Sequence, residues 1–216
     1  MKTLSTQFLT QEEQQRVTEA VQRAEKKTSG EIVPMVVSAS HNYPMASAIG
    51  SVFISLPLSL LLTSVTGSFL WLGAQNMWLL LIYWTLLFFP IYYLVDKSIF
   101  LKRLFLLKDQ VEEEVEEAAI TSFYGERLYQ TKDENGILIF VSVLEKKVWI
   151  LGDRRINEKI DSDQWQDIID ELSAGIRAHN QCEALCHAVE RVGKVLLEHF
   201  PISDDDKNEL HNIIIR

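Results

Sequence analysis

Three acidic residues lie just before or after segments that are typical of β-strands. They are the strongest candidates for chemistry in this chain. Glu31 precedes a buried apolar run, Asp133 lies in the turn before a second run that Gly136 introduces, and Asp153 follows a third run. If the first two runs are parallel strands and the third returns antiparallel, these residues meet at one edge of the sheet. Oxygen ligands suit calcium or magnesium. The sequence therefore predicts a cation site at Glu31, Asp133 and Asp153, with ordinary solvated turns as the alternative.

Other chemical groups are weaker candidates. Asp204, Asp205 and Asp206 could bind a cation, although a charged loop of this kind is usually just solvated. Cys182 and Cys186 are one helical turn apart, which suits neither a disulfide framework nor a four-ligand zinc site, so we expect reduced thiols. No Cys-x5-Arg loop and no Walker glycine loop is present. Structural or surface roles are expected for the five histidines, which are His41, His179, His187, His199 and His211.

The elements that must position the acidic residues begin with a helix and a strand. Thr10 and Glu13 form a capping box that starts a helix, and the residues Thr-Ser-Gly at 28–30 stop it. The apolar run at residues 32–37 reads as a strand that is covered on both faces. Pro34 argues against a central place in the sheet unless its missing N–H faces an unpaired direction.

Helices and two more strands follow after residue 97. Residues 98–107 are expected to continue a preceding helix, with a segment lying in a membrane interface as the alternative. An amphipathic helix extends to about Leu128, and residues 137–143 and 148–151 form an antiparallel hairpin. Two further helices are expected, at roughly residues 162–179 and 183–200. This alternation predicts a compact α/β sandwich with a mixed sheet.

An uncharged stretch interrupts the soluble pattern. Charged residues make up 24% of the chain, yet none occurs between Ile32 and Val95. Two parts of it, at about residues 46–66 and 77–95, reach the length of about 20 apolar residues that crosses a bilayer. A buried hairpin of a large soluble protein is the alternative, but the remaining chain is too short to cover so much apolar surface.

The predicted organisation is therefore one α/β domain that a transmembrane hairpin divides. The first part of the domain is residues 1–43, the hairpin is residues 44–96, and the remainder of the domain is residues 97–216. Basic residues follow the second span, whereas the loop between the spans has none, so both termini and the soluble domain are expected to be cytoplasmic in a multi-pass protein of the cell membrane. Those residues are Lys97, Lys102, Arg103 and Lys108.

The charge balance limits the partners. The net charge of −9 lies in the soluble part, which argues against nucleic acid as a partner because phosphate binding needs a basic face. The expected partners are the lipid bilayer and a membrane protein complex. No cofactor is indicated beyond calcium or magnesium, and the sequence leaves the oligomeric state open.

Six short segments of the soluble part occur in an order that one family shares. They are residues 8–13 (FLTQEE), 24–33 (AEKKTSGEIV), 136–142 (GILIFVS), 145–153 (EKKVWILGD), 199–201 (HFP) and 208–210 (NEL). Together they resemble the TPM domain, whose members include a thylakoid-lumen phosphatase-like protein, a photosystem II repair protein and an acetylcholine-receptor auxiliary subunit. These members carry a single or cleavable anchor and place the domain on the outer or lumenal side, so the divided domain here departs from them.

The resemblance implies a compact α/β sandwich, metal binding in some members, and activities that range from acid phosphatase to an accessory role for membrane complexes. We expect this chain to be a membrane-anchored TPM-like domain that acts as an accessory or binding module for a membrane protein complex. One alternative is a weak metal-assisted acid phosphatase-type hydrolase, which only the family resemblance supports. Another is a structural anchor without a ligand.

Overall fold

The β-sheet combines strands from before and after the two long apolar helices. The computed structural model describes residues 4–73, 75–160, 162–202 and 210–216. Its strands lie in the order β3-β2-β1-β4, with β1 parallel to β2 and β4 and with β3 antiparallel to β2. This confirms the predicted mixed sheet. The strands are β1 (Glu31–Val37), β2 (Gly136–Ser142), β3 (Lys147–Gly152) and β4 (Ile214–Ile215).

Pro34 lies in β1, an interior strand, without breaking the pairing with β2. The Ile32 N–H donates to the Glu25 carboxylate at 3.0 Å, and the Val36 carbonyl accepts from the N–H of Arg216, the residue after β4, at 2.9 Å. Alternate residues of a strand point their backbone groups in the same direction, so Pro34 also faces away from β2. Strand β4 pairs only with Met35 and Val36. The missing N–H thus removes no bond to β2.

Helices account for most of the remaining described chain. They are α1 (Leu4–Phe8), α2 (Gln11–Glu25), α3 (Pro44–Phe69), α4 (Met77–Lys97), α5 (Ile99–Leu104), α6 (Lys108–Gly125), α7 (Arg154–Lys159), α8 (Ser162–Arg177) and α9 (Gln181–His199), with a 3-10 turn at Leu128–Gln130. The predicted capping box of α2 is confirmed, since Thr10 accepts from the Glu13 N–H and Glu13 accepts from the Thr10 N–H. Helices α1 and α7, the 3-10 turn and strand β4 were not predicted.

The first compact unit consists of residues 1–41 and 112–216. One sheet face, which carries Ile32, Val36 and Ile139, packs on the apolar stripes of α2, α8 and α9. The other face lies beneath α6 and the 3-10 turn, so the sheet is covered on both sides. Burial on both faces explains why β1 and β2 are almost continuously apolar.

The second unit is residues 42–111, which contain α3, α4 and α5. Helices α3 and α4 pack side by side as a hairpin and match the two predicted apolar helices. Pro57 and Pro90 lie inside them without ending them, as expected. The units and the predicted domain boundaries differ over residues 42–43 and 97–111, which belong to the unit of the hairpin. That the hairpin crosses a membrane stays a prediction.

The prediction that residues 98–107 continue the second apolar helix is wrong. Ser98 has an extended backbone with φ −92° and ψ 109°, and its side chain accepts a hydrogen bond from the Leu101 N–H at 3.4 Å. Serine is a favoured N-cap because its hydroxyl satisfies an otherwise unbonded N–H of the first turn. Ser98 therefore ends α4 and begins the separate short helix α5.

Candidate functional site

The candidate site lies at the edge of the sheet where β1 and β2 begin and β3 ends. Glu31 is opposite Gly136 in the parallel register, and the Asp153 N–H donates to the Gly136 carbonyl at 2.8 Å. The expectation that the ends of these three strands meet is therefore met.

Glu31 and Asp153 lie on the same face of this edge, on either side of Gly136. Side chains alternate between faces along a strand, and residues in register share a face. A Cβ atom on Gly136 would lie 2.5 Å from the Leu128 carbonyl oxygen of the 3-10 turn. The glycine is thus needed for the turn to approach the strand. Glu31 and Asp153, which lie on either side of it, are buried, with exposed fractions of 5% and 8%.

Asp153 has one oxygen engaged and one without a hydrogen-bond partner. It is the N-cap of α7, where Oδ1 accepts from the Arg154 N–H at 2.7 Å. Its Oδ2 is buried and lacks a partner within the described part of the chain. Burial raises the pKa of Asp153 above its ordinary value; the Arg154 N–H lowers this pKa and the nearby charge of Glu134 raises it further. A bound cation would stabilise this carboxylate in its charged form.

Asp133 is held differently. The Arg155 guanidinium donates to its carboxylate at 3.3 Å and to its backbone carbonyl at 3.0 Å, and both side chains are exposed. Asn135, which follows in the same turn, links the turn to β1. Its side-chain amide donates to the Ser29 carbonyl at 2.5 Å, and its backbone carbonyl accepts from the Glu31 N–H at 3.3 Å.

These contacts decide which of the three predicted acidic ligands could bind one cation together. Glu31, Asp133 and Asp153 are not placed as a metal-binding group, and among residues 4–73, 75–160, 162–202 and 210–216 no three His, Cys, Asp or Glu side chains are so placed. Glu31 and Asp153 fit a hard cation that takes its remaining ligands from carbonyls and water. A cation at these two carboxylates stays a prediction. The weaker candidates Asp204, Asp205 and Asp206 lie outside the described residues.

The cysteines and two of the histidines are in ordinary structural settings. Burial raises the pKa of both thiols, that of Cys186 to about 11, so both are protonated at neutral pH. His187 is 3.4 Å from Glu171 on the helical surface.

His41 lines a cavity of about 470 Å³ between β1 and α6, and its Nδ1 is 3.2 Å from Glu114, which also lines the cavity. Sequence reasoning missed this cavity, because only the fold brings these two elements together.

The comparisons with known proteins bear on this fold. Residues 103–195 of this chain match the TPM domain family. They contain α6, β2, β3, α7, α8 and most of α9. The family resemblance deduced from the short segments is thus confirmed for the matched residues. Strand β1 lies before them and pairs with β2 in the same sheet.

A solved structure with a similar fold covers almost the whole chain. It is the NMR structure of BA42 protein from the psychrophilic bacterium Bizionia argentinensis, with a TM-score of 0.57 and 23% sequence identity. The alignment covers 96% of this chain and 94% of BA42. At this identity the likeness concerns the fold alone. No curated protein matches the chain.

Proposed function

We propose that this protein is a membrane-anchored TPM domain that acts as a binding module for a membrane protein complex. The observation that best supports the membrane anchor is that β1 pairs with β2 over seven residue pairs. Strand β1 lies before the apolar hairpin in the chain, and β2 lies after it. Both halves of the domain must therefore lie on one side of any membrane that the hairpin crosses. Two crossings, by α3 and α4, satisfy this requirement.

The packing within the hairpin also supports a lipid environment. Small side chains of α3 recur every four residues and are buried, whereas most of its large apolar side chains are exposed. Close packing through small residues is typical of helix pairs in membranes, where burying large apolar groups gains nothing over lipid. The small residues are Ser47, Ser51, Ser55, Ser59, Thr63 and Gly67.

Helix α4 also leaves nearly all of its apolar side chains at least partly exposed, which supports a lipid environment. Val95 is its only residue buried in the structure, while Leu86 and Phe89 are each 68% exposed. Both apolar helices are long enough to cross a membrane. A soluble protein seldom exposes a continuous apolar surface of this extent, because water disfavours it. Lipid contact removes that cost.

Topology mapping in the cell membrane tests the anchor and its orientation. Reporter fusions at the N-terminus and after Arg216 should both report cytoplasm, and a fusion at Gln75 should report the opposite side, because the basic residues follow the second span. The full chain should also stay with the membrane after alkaline carbonate extraction. Termini on opposite sides would contradict the divided domain, and release by carbonate would contradict the anchor.

The binding role is tested by purification of the full chain from membranes in mild detergent. A membrane protein should co-purify in a fixed ratio with the full chain and be absent when residues 42–111 alone carry the affinity tag. This control has the same apolar helices but lacks the TPM sheet. Equal recovery with both proteins would assign the association to the hairpin and contradict the proposed role of the domain.

A further inference from the structure

Strand β3 forms one edge of the sheet, and its outer side is open. It pairs with β2 on one side only, and no other described strand lies beyond it. Open edges are potential sites for strand addition, since their N–H and C=O groups still seek partners.

The register identifies the open backbone groups. Because the Asp153 N–H donates to Gly136, every second residue back from Asp153 also bonds to β2. The N–H and C=O groups of the intervening Val148 and Ile150 therefore point away from the sheet. In the described chain they have no other hydrogen bond. The far end of this edge is closed, since the Asn157 amide donates to the Gly152 carbonyl at 2.8 Å.

A groove of about 570 Å³ follows the open end of this edge. It contacts Lys147, Val148 and Trp149 of β3, and it has α6 on one side and α8 on the other. Neighbouring residues of a strand point to opposite faces, so a cavity that touches all three, and helices of both layers, must lie at the strand edge. Trp149 and Ile169 give the groove an apolar part, and both are partly exposed.

The charges of the groove favour a basic occupant. Lys147 binds Glu112 of α6 at 2.5 Å, which holds the pKa of that carboxyl below its usual range. After this pair the lining still contains four acidic groups and two basic ones. The acidic groups are Glu113, Glu116, Glu145 and Asp170, and the basic ones are Lys146 and Arg177.

The acidic excess is concentrated on the α6 wall. Glu113 and Glu116 are exposed there and have no ion pair in the described part of the chain. Glu145 is already occupied by hydrogen bonds from Ser142 and from the Ser40 N–H. An added strand would present every second side chain to this wall, so its basic residues should occupy alternate positions.

We propose that the edge of β3 binds an extended basic segment of a partner protein by strand addition, with the segment's backbone pairing to Val148 and Ile150. This deepens the proposed function, on which it rests, because it names the surface through which the domain would recognise its partner. The segment would alternate lysine or arginine with apolar residues, the basic side chains facing α6 and the apolar ones facing Ile169 and α8.

Direct binding of a designed peptide tests the proposal. The full chain in detergent micelles is titrated with acetyl-Lys-Val-Lys-Val-Lys-Val-amide carrying a fluorophore, and fluorescence anisotropy gives the Kd. The double variant Glu113→Lys, Glu116→Lys should bind about tenfold more weakly, as expected for the loss of two exposed charge contacts. The matched control Asp167→Lys, Glu198→Lys reverses two exposed helical charges that do not line the groove and should bind like the wild type.

Amide hydrogen exchange provides the readout that separates strand addition from simple charge attraction. Saturating peptide should slow exchange at Val148 and Ile150, because their N–H groups become donors to the peptide backbone. Binding without this protection, equal binding of the peptide with Glu in place of Lys, or no binding at millimolar peptide would each overturn the proposal. A membrane partner that still co-purifies in that case would leave the proposed function standing and exclude only this edge.

Discussion

Asp153 is the residue whose surroundings demand most explanation. Its carboxylate caps α7 through one oxygen and buries the other without a hydrogen bond in the described chain. A buried carboxylate that lacks full compensation costs free energy in its charged form. Such a cost can persist where a ligand removes it, and this is the physical basis of the cation prediction.

The pH dependence of Asp153→Asn is the first prediction. The pKa of Asp153 is raised in the folded state, so the folded protein binds its proton more readily than the unfolded chain does. Without cation, this group lowers stability as pH rises from the ordinary aspartate value through the raised folded value. Asparagine can still cap α7 and does not titrate. The variant should unfold at a higher temperature than the wild type near pH 7, with the difference shrinking toward acid pH; calorimetry across pH measures this.

Calcium should make the wild type unfold at a higher temperature than Asp153→Asn. Because a cation that binds only the folded state raises its stability, a calcium concentration 100 times the Kd should add about 2.7 kcal/mol to the wild type. Asp153→Asn should lose this gain. Asp133→Asn is the matched control and should keep it, because Arg155 already engages Asp133 at the surface. If millimolar calcium and magnesium both leave the wild-type melting temperature unchanged, the two carboxylates are solvated or paired strand ends and the cation site is excluded.

Gly136 offers a prediction about the 3-10 turn that packs against it. An alanine there would place Cβ 2.5 Å from the Leu128 carbonyl oxygen, so backbone must move. We expect Gly136→Ala to cost about 1–3 kcal/mol of stability, as for other overpacked sites. Gly125→Ala has open space around the added methyl group and should change stability little. Equal melting temperatures for the two variants would contradict the close approach of the turn.

At the scale of elements, α3 is organised by its small residues. The buried hydroxyls find partners within the hairpin: Ser51 donates to the Ser47 carbonyl at 2.5 Å, and Ser55 accepts from the Trp84 indole N–H at 3.1 Å. Such polar contacts let two helices approach closely without leaving unsatisfied groups.

Ser55→Leu should therefore weaken the hairpin although it makes α3 more apolar. The larger side chain would separate the helices and leave the Trp84 N–H without its acceptor, at an expected cost of about 1–3 kcal/mol. Leu61→Met, on the exposed side of α3, is the control and should have little effect. Thermal unfolding of both full-length variants in detergent micelles, followed by circular dichroism, gives the comparison. A wild-type melting temperature for Ser55→Leu would show that the serine stripe does not hold the hairpin together.

At the scale of the whole molecule, the domain and the hairpin are separate compact units of one chain. The core of the first unit is formed by α2, α8, α9 and the sheet, all from residues outside the hairpin. A domain with its own core can fold without an inserted segment when the connecting loop closes at low entropic cost.

Replacing residues 42–107 with a flexible Gly/Ser linker should therefore yield a soluble α/β protein that unfolds cooperatively, with α6 kept whole. Urea unfolding followed by far-UV dichroism and by tryptophan fluorescence should give coincident transitions. Linkers of several lengths guard against strain at the junction. If every version aggregates or loses fixed tertiary structure, the apolar helices contribute to the core of the TPM domain.

Much of this fold follows from local patterns in the sequence. The capping box at Thr10 and Glu13, the strand-like runs of β1, β2 and β3, and the two apolar helices all depend on neighbours a few residues apart. The meeting of three strand ends followed from direction alone, since parallel and antiparallel strands fix which ends coincide. The spacing of α3's small residues was missed in the sequence, because only packing against α4 gives it meaning.

What the tertiary structure decided depends on contacts between distant residues. Asp133 was expected to join Glu31 and Asp153, but Arg155 holds it at the surface, a choice that no local pattern encodes. Strand β4 is two residues long and forms only because β1 offers it an edge far away in sequence. The open N–H groups of Val148 and Ile150 likewise exist because hydrogen-bond register is set between strands. Local sequence therefore determined the helices and strands and which strand ends meet. Strand pairing and side-chain contacts between distant residues determined the candidate sites.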